Sequence, residues 1–229
     1  MHLVHLAVVP DVLCSLLLDL SDGAARREDE LNNLYNSYHS WCEEAGVPDR
    51  ASKRLFSSAT LHPGSRDYVA ISQKLLSAHA ARYAVFWMAQ LMTTLLGQNR
   101  GSEFFAIRAG VVIALARIES ICLQSGRFLS DQATLDVRTA YLVYRSGHNR
   151  LCEAALSANL CRWQLRPKGH YIEHMIYDTV PLNPRFLHNY LSEDFIRRIK
   201  LMAVKAHPAH LSGHVLFKYA LQATLRWRE

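Results

Sequence analysis

Apolar residues recur along this chain at three- and four-residue steps. Between residues 24 and 46 the series Leu31, Leu34, Tyr35, Tyr38, Trp41, Cys42 and Ala45 is the pattern of an amphipathic helix with one buried stripe. Asp22 is placed to cap its start, and Gly46 followed by Pro48 stops it. The Ser-rich stretch Ser57 to Ser65 reads as a loop. Ile71, Leu75, Leu76, His79, Tyr83, Phe86, Trp87, Gln90 and Leu91 then share one side of a long helix expected from about Asp67 to Leu96. Phe104 to Leu123 is apolar nearly all round, so it is expected at the centre of the core, closed by Gly126. Ser130 or Asp131 caps a further helix running towards Trp163, with a kink expected at Gly147. Val, Ile and Thr nowhere collect into alternating runs, so strands are not expected.

After Trp163 the pattern changes. Pro167 blocks continuation of the long helix, a short helix begins near Lys168 to His170, and Pro181-Leu182-Asn183-Pro184 forces an extended or turn segment. Ser192 is placed to cap a helix through about Ala206, and Pro208 suits the first turn of a last helix ending near Trp227. The fold expected is therefore all-α: an irregular multi-helix bundle over residues 1–161 with a small basic helical subdomain over residues 162–229. The boundary is soft, near 162 to 167, and is compatible with one domain.

Charge sharpens that division. The chain of 229 residues carries a formal charge of +6. All of it falls after Cys161, where eleven Lys and Arg face five acids, while the first 161 residues hold fifteen of each sign. A positive segment on a neutral body attracts phosphates or acidic protein surfaces. Five cysteines with no CxxC spacing suggest reduced thiols and a nuclear or cytoplasmic setting. No run reaches the roughly 18 to 20 uninterrupted apolar residues of a membrane span, so no membrane partner is expected. Nor does Met1-His2-Leu3-Val4-His5 resemble a leader, because Pro10 and Asp11 break the apolar run behind it.

The residues with most chemistry lie between Arg166 and Phe195. His170 and His174 are four apart with Glu173 between them, giving the HxxEH string of inverted zinc peptidases, in which two His hold zinc and a Glu acts as general base. His188 and Glu193 are the conceivable third ligands. His207, His210 and His214 form a second set that would share a helical face. Glu193 and Asp194 follow the Ser192 cap, where a helix dipole favours acids; with a further carboxylate, such acids would hold magnesium for phosphoryl transfer. Arg197, Arg198, Lys200 and Lys205 alternate with Ile196, Ile199, Leu201, Met202 and Val204, and Arg166, Lys168 and Arg185 extend the same basic surface, which suits DNA or RNA phosphates. No Walker loop, GxGxxG, GxSxG or paired CxxC occurs, so nucleotide hydrolysis, dinucleotide chemistry and serine-esterase chemistry have no motif behind them.

The string Arg166-Pro167-Lys168-x-His170-x-x-x-His174, with Asn183-Pro184-Arg185-Phe186 and Ser192-Glu193-Asp194-Phe195, resembles a recurring C-terminal signature of transposon-derived repetitive reading frames of the dinoflagellate type. It is similar, more loosely, to the C-terminal part of the Kyakuja/Dileera/Zisupton class of DDE transposases, where Pro-Lys-x-His-x-x-x-His precedes a Glu. The likeness covers about residues 160 to 228. It implies that Glu193 matches the final metal-binding acid and that His170 and His174 are support residues. No earlier Asp, such as Asp67 or Asp136, sits in a strand-like run, so the resemblance implies a helical C-terminal fragment without the nuclease core. Three readings stay open: a noncatalytic helical domain binding nucleic acid through its basic C-terminal face, without cofactor; a helical scaffold binding a protein; and a zinc-dependent hydrolase.

Overall fold

The computed structural model describes residues 4–67, 69–98, 102–186, 199–204 and 206–226. It is 72% helical, with nine α-helical segments and no strand among the described residues. This is the expected all-α multi-helix bundle. Two compact units occur, Met1–Leu187 and His188–Glu229. Residues 162–186, grouped by charge with the C-terminal segment, belong to the first unit.

That first unit, the body, begins with a π-helical turn at Val4–Val8 leading into α1 (Val9–Ser21). Pro10 and Asp11 do not break the run, because they occupy its first turn, where a missing N–H removes no helical bond. Val4–Ser21 is long and apolar enough to cross a membrane by length and composition, yet 78% of that window is buried in the body. Val9, Val12, Leu13, Leu16 and Leu17 bury this helix nearly all round, which leaves no polar face to mark its period.

Helix α2 (Arg27–Glu44) buries Leu31, Leu34, Tyr38 and Cys42 and ends where Gly46 takes φ 61°, the left-handed value glycine adopts at no steric cost. Asp22 does not cap it; the carboxylate binds Arg27 and Arg162 instead. After a one-turn α3 (Ser58–Leu61), α4 (Ala78–Gly97) starts later than Asp67. Ser77 is its N-cap, with Oγ accepting from Ala80 N–H at 3.0 Å, and such a bond supplies a start that apolar spacing cannot reveal. Tyr38, Phe56 and Trp87 pack edge-to-face and stacked at 5.2 to 6.0 Å where α2 meets α4. Tyr38 OH also accepts from Ala51 N–H at 2.9 Å.

Helices α5 (Glu103–Gln124) and α6 (Asp131–Ser157) form the central pair. Helix α6 runs unbroken through Gly147. A Cβ there would lie 2.8 Å from Val111 Cγ2, so glycine lets the two helices approach closely. Helix α6 ends at Ser157, with Asn159 at φ 54°, short of the expected Trp163. α7 (Pro167–Tyr177) follows, with Pro167 in its first turn. The Thr179 to Phe186 segment returns to α5: Asn183, fully buried, donates its side-chain N–H groups to Cys122 O and Gly126 O, both at 2.9 Å. These are orphan carbonyls at a helix end. The motif residue Asn183 is thus a clasp.

Two buried carboxylates fasten the N-terminal helix. Asp19 on α1 accepts from Arg162 Nη1 at 2.7 Å and Trp163 Nε1 at 2.8 Å, and pairs with Arg108 at 2.5 Å. Glu119 on α5 pairs with Arg82 at 2.9 Å and meets His5 Nε2 at 3.1 Å. Charges removed from water persist only when paired and hydrogen-bonded. Burial, helped by Asp11 beside Cys14 and Glu119 beside Cys122, pushes both thiols up to about 12, so both are inert core residues.

The C-terminal unit contains helical residues 199–203, a 3-10 turn at Pro208–His210 and α8 (Leu211–Arg226). On α8, His214, Val215 and Lys218 are half-buried, while Leu216 (68%), Phe217 (69%) and Leu221 (49%) are exposed.

Candidate functional site

Helix α7 carries the HxxEH residues, and the unbroken helix from Pro167 puts His170, His174 and Asp178 on one face at successive four-residue steps. His170 Nε2 and His174 Nε2 face each other at 2.9 Å. His174 Nδ1 lies 2.6 Å from Asp178 Oδ2, and His170 Nδ1 lies 3.7 Å from Glu173 Oε2. Both rings are exposed. The other Glu173 oxygen pairs with Arg145 Nη1 at 2.5 Å, so the carboxylate proposed as a general base is engaged by a guanidinium from α6. Among the described residues no group of three or more His, Cys, Asp or Glu is placed to hold a metal.

Beside α7 opens a cleft of about 280 Å³ between α1, α6 and the 164–173 segment. Its rim carries Arg145 with Glu173 and Arg166 with Asp11, the second pair at 2.9 Å. Its floor carries Tyr144 and His148, whose rings stack at 5.4 Å. Burial lowers His148 from 6.5 to about 4 and raises Tyr144, so both are neutral at pH 7. Each guanidinium on the rim faces a carboxylate, and among the described lining residues there is no Ser, Thr or Cys for His148 to activate. The cleft is charge-balanced, with no nucleophile beside its imidazole.

Within the body, the described basic residues are engaged locally. Arg166 pairs with Asp11 in the body, and Arg162, raised by its bonds to Asp22 and Asp19 against the lowering effect of burial, is enclosed. Arg185 is half-buried on a 3-10 turn, its N–H bonded to Asn183 Oδ1 at 3.0 Å. Lys200 is exposed in the C-terminal unit. The Lys168 side chain, His188, Ser192, Glu193, Asp194, Arg197, Arg198 and Lys205 lie outside the described residues. In the second histidine set, His207 and His210 ring centres are 6.2 Å apart.

Arg145, His148, Asp11 and Asp178 were not singled out in the sequence. Two signals were available: Tyr141, Tyr144, Arg145 and His148 recur at helical spacing, and Asp178 continues the four-residue step of His170 and His174. Asp11 gave none, since its partner Arg166 lies far along the chain. Comparison with protein-family models, curated proteins and solved structures gives no match for this chain.

Proposed function

We propose that the chain is a noncatalytic helical domain, transposon-derived as its C-terminal signature implies, that binds single-stranded nucleic acid through its C-terminal unit in the nucleus or cytoplasm. The observation that carries this reading is the charge of that unit. Residues 188–229 hold seven Lys and Arg against three acids, none of them between Phe195 and Arg228, whereas residues 1–187 hold nineteen against seventeen. Lys200 is exposed, and Phe217 stands 69% exposed on α8, as a stacking platform for a base. Arg166 leaves the proposed surface because Asp11 holds it, which moves the interface towards Lys200, Lys205 and α8. The charge-balanced cleft and the engagement of Glu173 by Arg145 weigh against the hydrolase.

The test is binding of the full chain to a labelled oligouridine as salt rises. If about five of the cations contact phosphate, the logarithm of affinity falls with the logarithm of salt concentration with a slope of about −3 to −4. A slope near zero, or no binding at low salt, removes the reading.

A second reading rests on its own observation. Gly213, Leu216, Phe217, Ala220 and Leu221 recur at i, i+3, i+4, i+7 and i+8 on α8, and all are exposed. An open apolar stripe of this kind suits a helix-in-groove protein contact. Binding that persists at high salt and is lost on Leu216→Asp, without nucleic acid, would favour this scaffold reading.

A further inference from the structure

We propose that His170 and His174 form a two-imidazole site for a divalent copper ion. The first argument is distance. With metal–nitrogen bonds of about 2.05 Å, two ligands at 90° are separated by about 2.9 Å and two at the tetrahedral angle by about 3.3 Å. The two Nε2 atoms are 2.9 Å apart, the spacing of adjacent positions on a tetragonal ion, the geometry of Cu²⁺ with nitrogen and oxygen ligands. A tetrahedral zinc fits this pair less well, and Cu²⁺ outranks Zn²⁺ at the same ligands.

The second argument is the proton inventory. Asp178 at 2.6 Å takes the Nδ1–H of His174, which leaves a lone pair on Nε2 directed at His170. Glu173, held in turn by Arg145, stands 3.7 Å from His170 Nδ1, beyond hydrogen-bond reach, so His170 can carry its proton on Nε2 and donate it to His174. Carboxylates behind ligating imidazoles orient the rings and raise their basicity. The hydrogen bond from His170 to His174 satisfies the pair in the absence of metal; copper displaces its proton and sits to one side of the line between the two nitrogens.

The third argument is access. The side chains of His170 and His174 are 64% and 52% exposed, so the remaining equatorial positions are open to water or to an exogenous donor. The site therefore differs from the HxxEH zinc reading in ion, geometry and the role of Glu173, which is held by Arg145 instead of acting as a base.

The experiment is a titration of the chelator-stripped full chain with Cu²⁺ alone, read by electron paramagnetic resonance. The expected result is an axial spectrum with hyperfine splitting from two equatorial nitrogens, and a bound equivalent that disappears in His170→Gln/His174→Gln. Asp178→Ala is expected to weaken binding by about tenfold while leaving helicity unchanged. A spectrum and stoichiometry unaltered in the double variant, as when His207, His210 and His214 hold the ion, would overturn the proposal. So would the absence of a two-nitrogen signal in the parent chain, which would leave only the hydrogen bond between the two rings.

Discussion

The body and the C-terminal unit treat charge and apolar surface in opposite ways. In the body, Asp19 and Glu119 are buried, yet each is matched by cations from distant elements: Arg108 and Arg162 for one, Arg82 for the other. Leucines and valines of α1 are enclosed on all sides. In the C-terminal unit the cations have no acid within the run from Phe195 to Arg228, and Leu216 and Phe217 of α8 face water. The contrast separates two uses of the same residue types. Matched and enclosed groups hold a fold together, whereas unmatched and exposed ones are available to something else.

The largest effect expected from breaking this contrast is at Asp19. Asp19→Ala leaves Arg108 and Arg162 without their shared carboxylate, and losing one side of a buried ion network costs about 3 to 5 kcal/mol. Urea unfolding checks this, and an unchanged midpoint would mean that the network does not fasten α1. Next is Gly147→Leu, which places a side chain against Val111 on α5. Overpacking of a tight helix pair costs roughly 1 to 3 kcal/mol, and a midpoint equal to the parent's would contradict the close approach.

His148 ties the body to pH. Its folded value, near 4, lies below the ordinary 6.5, so between these values the unfolded chain binds a proton that the folded chain refuses. Stability is therefore full above pH 6.5, declines as pH falls and reaches its greatest loss below pH 4. His148→Phe keeps a ring against Tyr144 and removes the titration. It is expected to flatten the decline and to gain about 2 kcal/mol relative to the parent at pH 5. Parallel pH profiles for the two chains would show that His148 is not buried as described. Asn183→Ala, which orphans the carbonyls of Cys122 and Gly126, is expected to cost a similar amount, about 2 kcal/mol. In the C-terminal unit, by contrast, Phe217→Ala is expected to change stability by less than about 0.5 kcal/mol while weakening oligouridine binding.

How much of this was legible beforehand follows the range of each interaction. Helix α2 was readable from its apolar stripe and its Gly46 stop, α5 from its long apolar run closed by Gly126, and α8 from Pro208 just before it, all of them local signals. The π-turn and α1 were not, since a proline and an acid in the first turn look like a break. The Asp19 and Glu119 hubs join residues from different helices, Arg162 lying 143 positions from Asp19, which no local pattern encodes. At the candidate site the pairing of His170 with His174 followed from their spacing, but the engagement of Glu173 depends on Arg145 from another helix. The Arg166 cation looked available only because Asp11 is so distant in sequence. The signature near residue 166 thus marks a junction of the body, with Asn183 as a clasp, and the cation-rich run of the sequence lies further on.

The division of labour is tested by comparing the full chain with residues 1–187 for binding to labelled oligouridine at low and physiological salt. The full chain is expected to bind with an affinity that falls steeply as salt rises, and the body alone, still cooperatively folded, to show no binding at either concentration. Equal affinity of the two chains, or salt-independent binding by the full chain, would contradict the assignment of the binding face to the C-terminal unit.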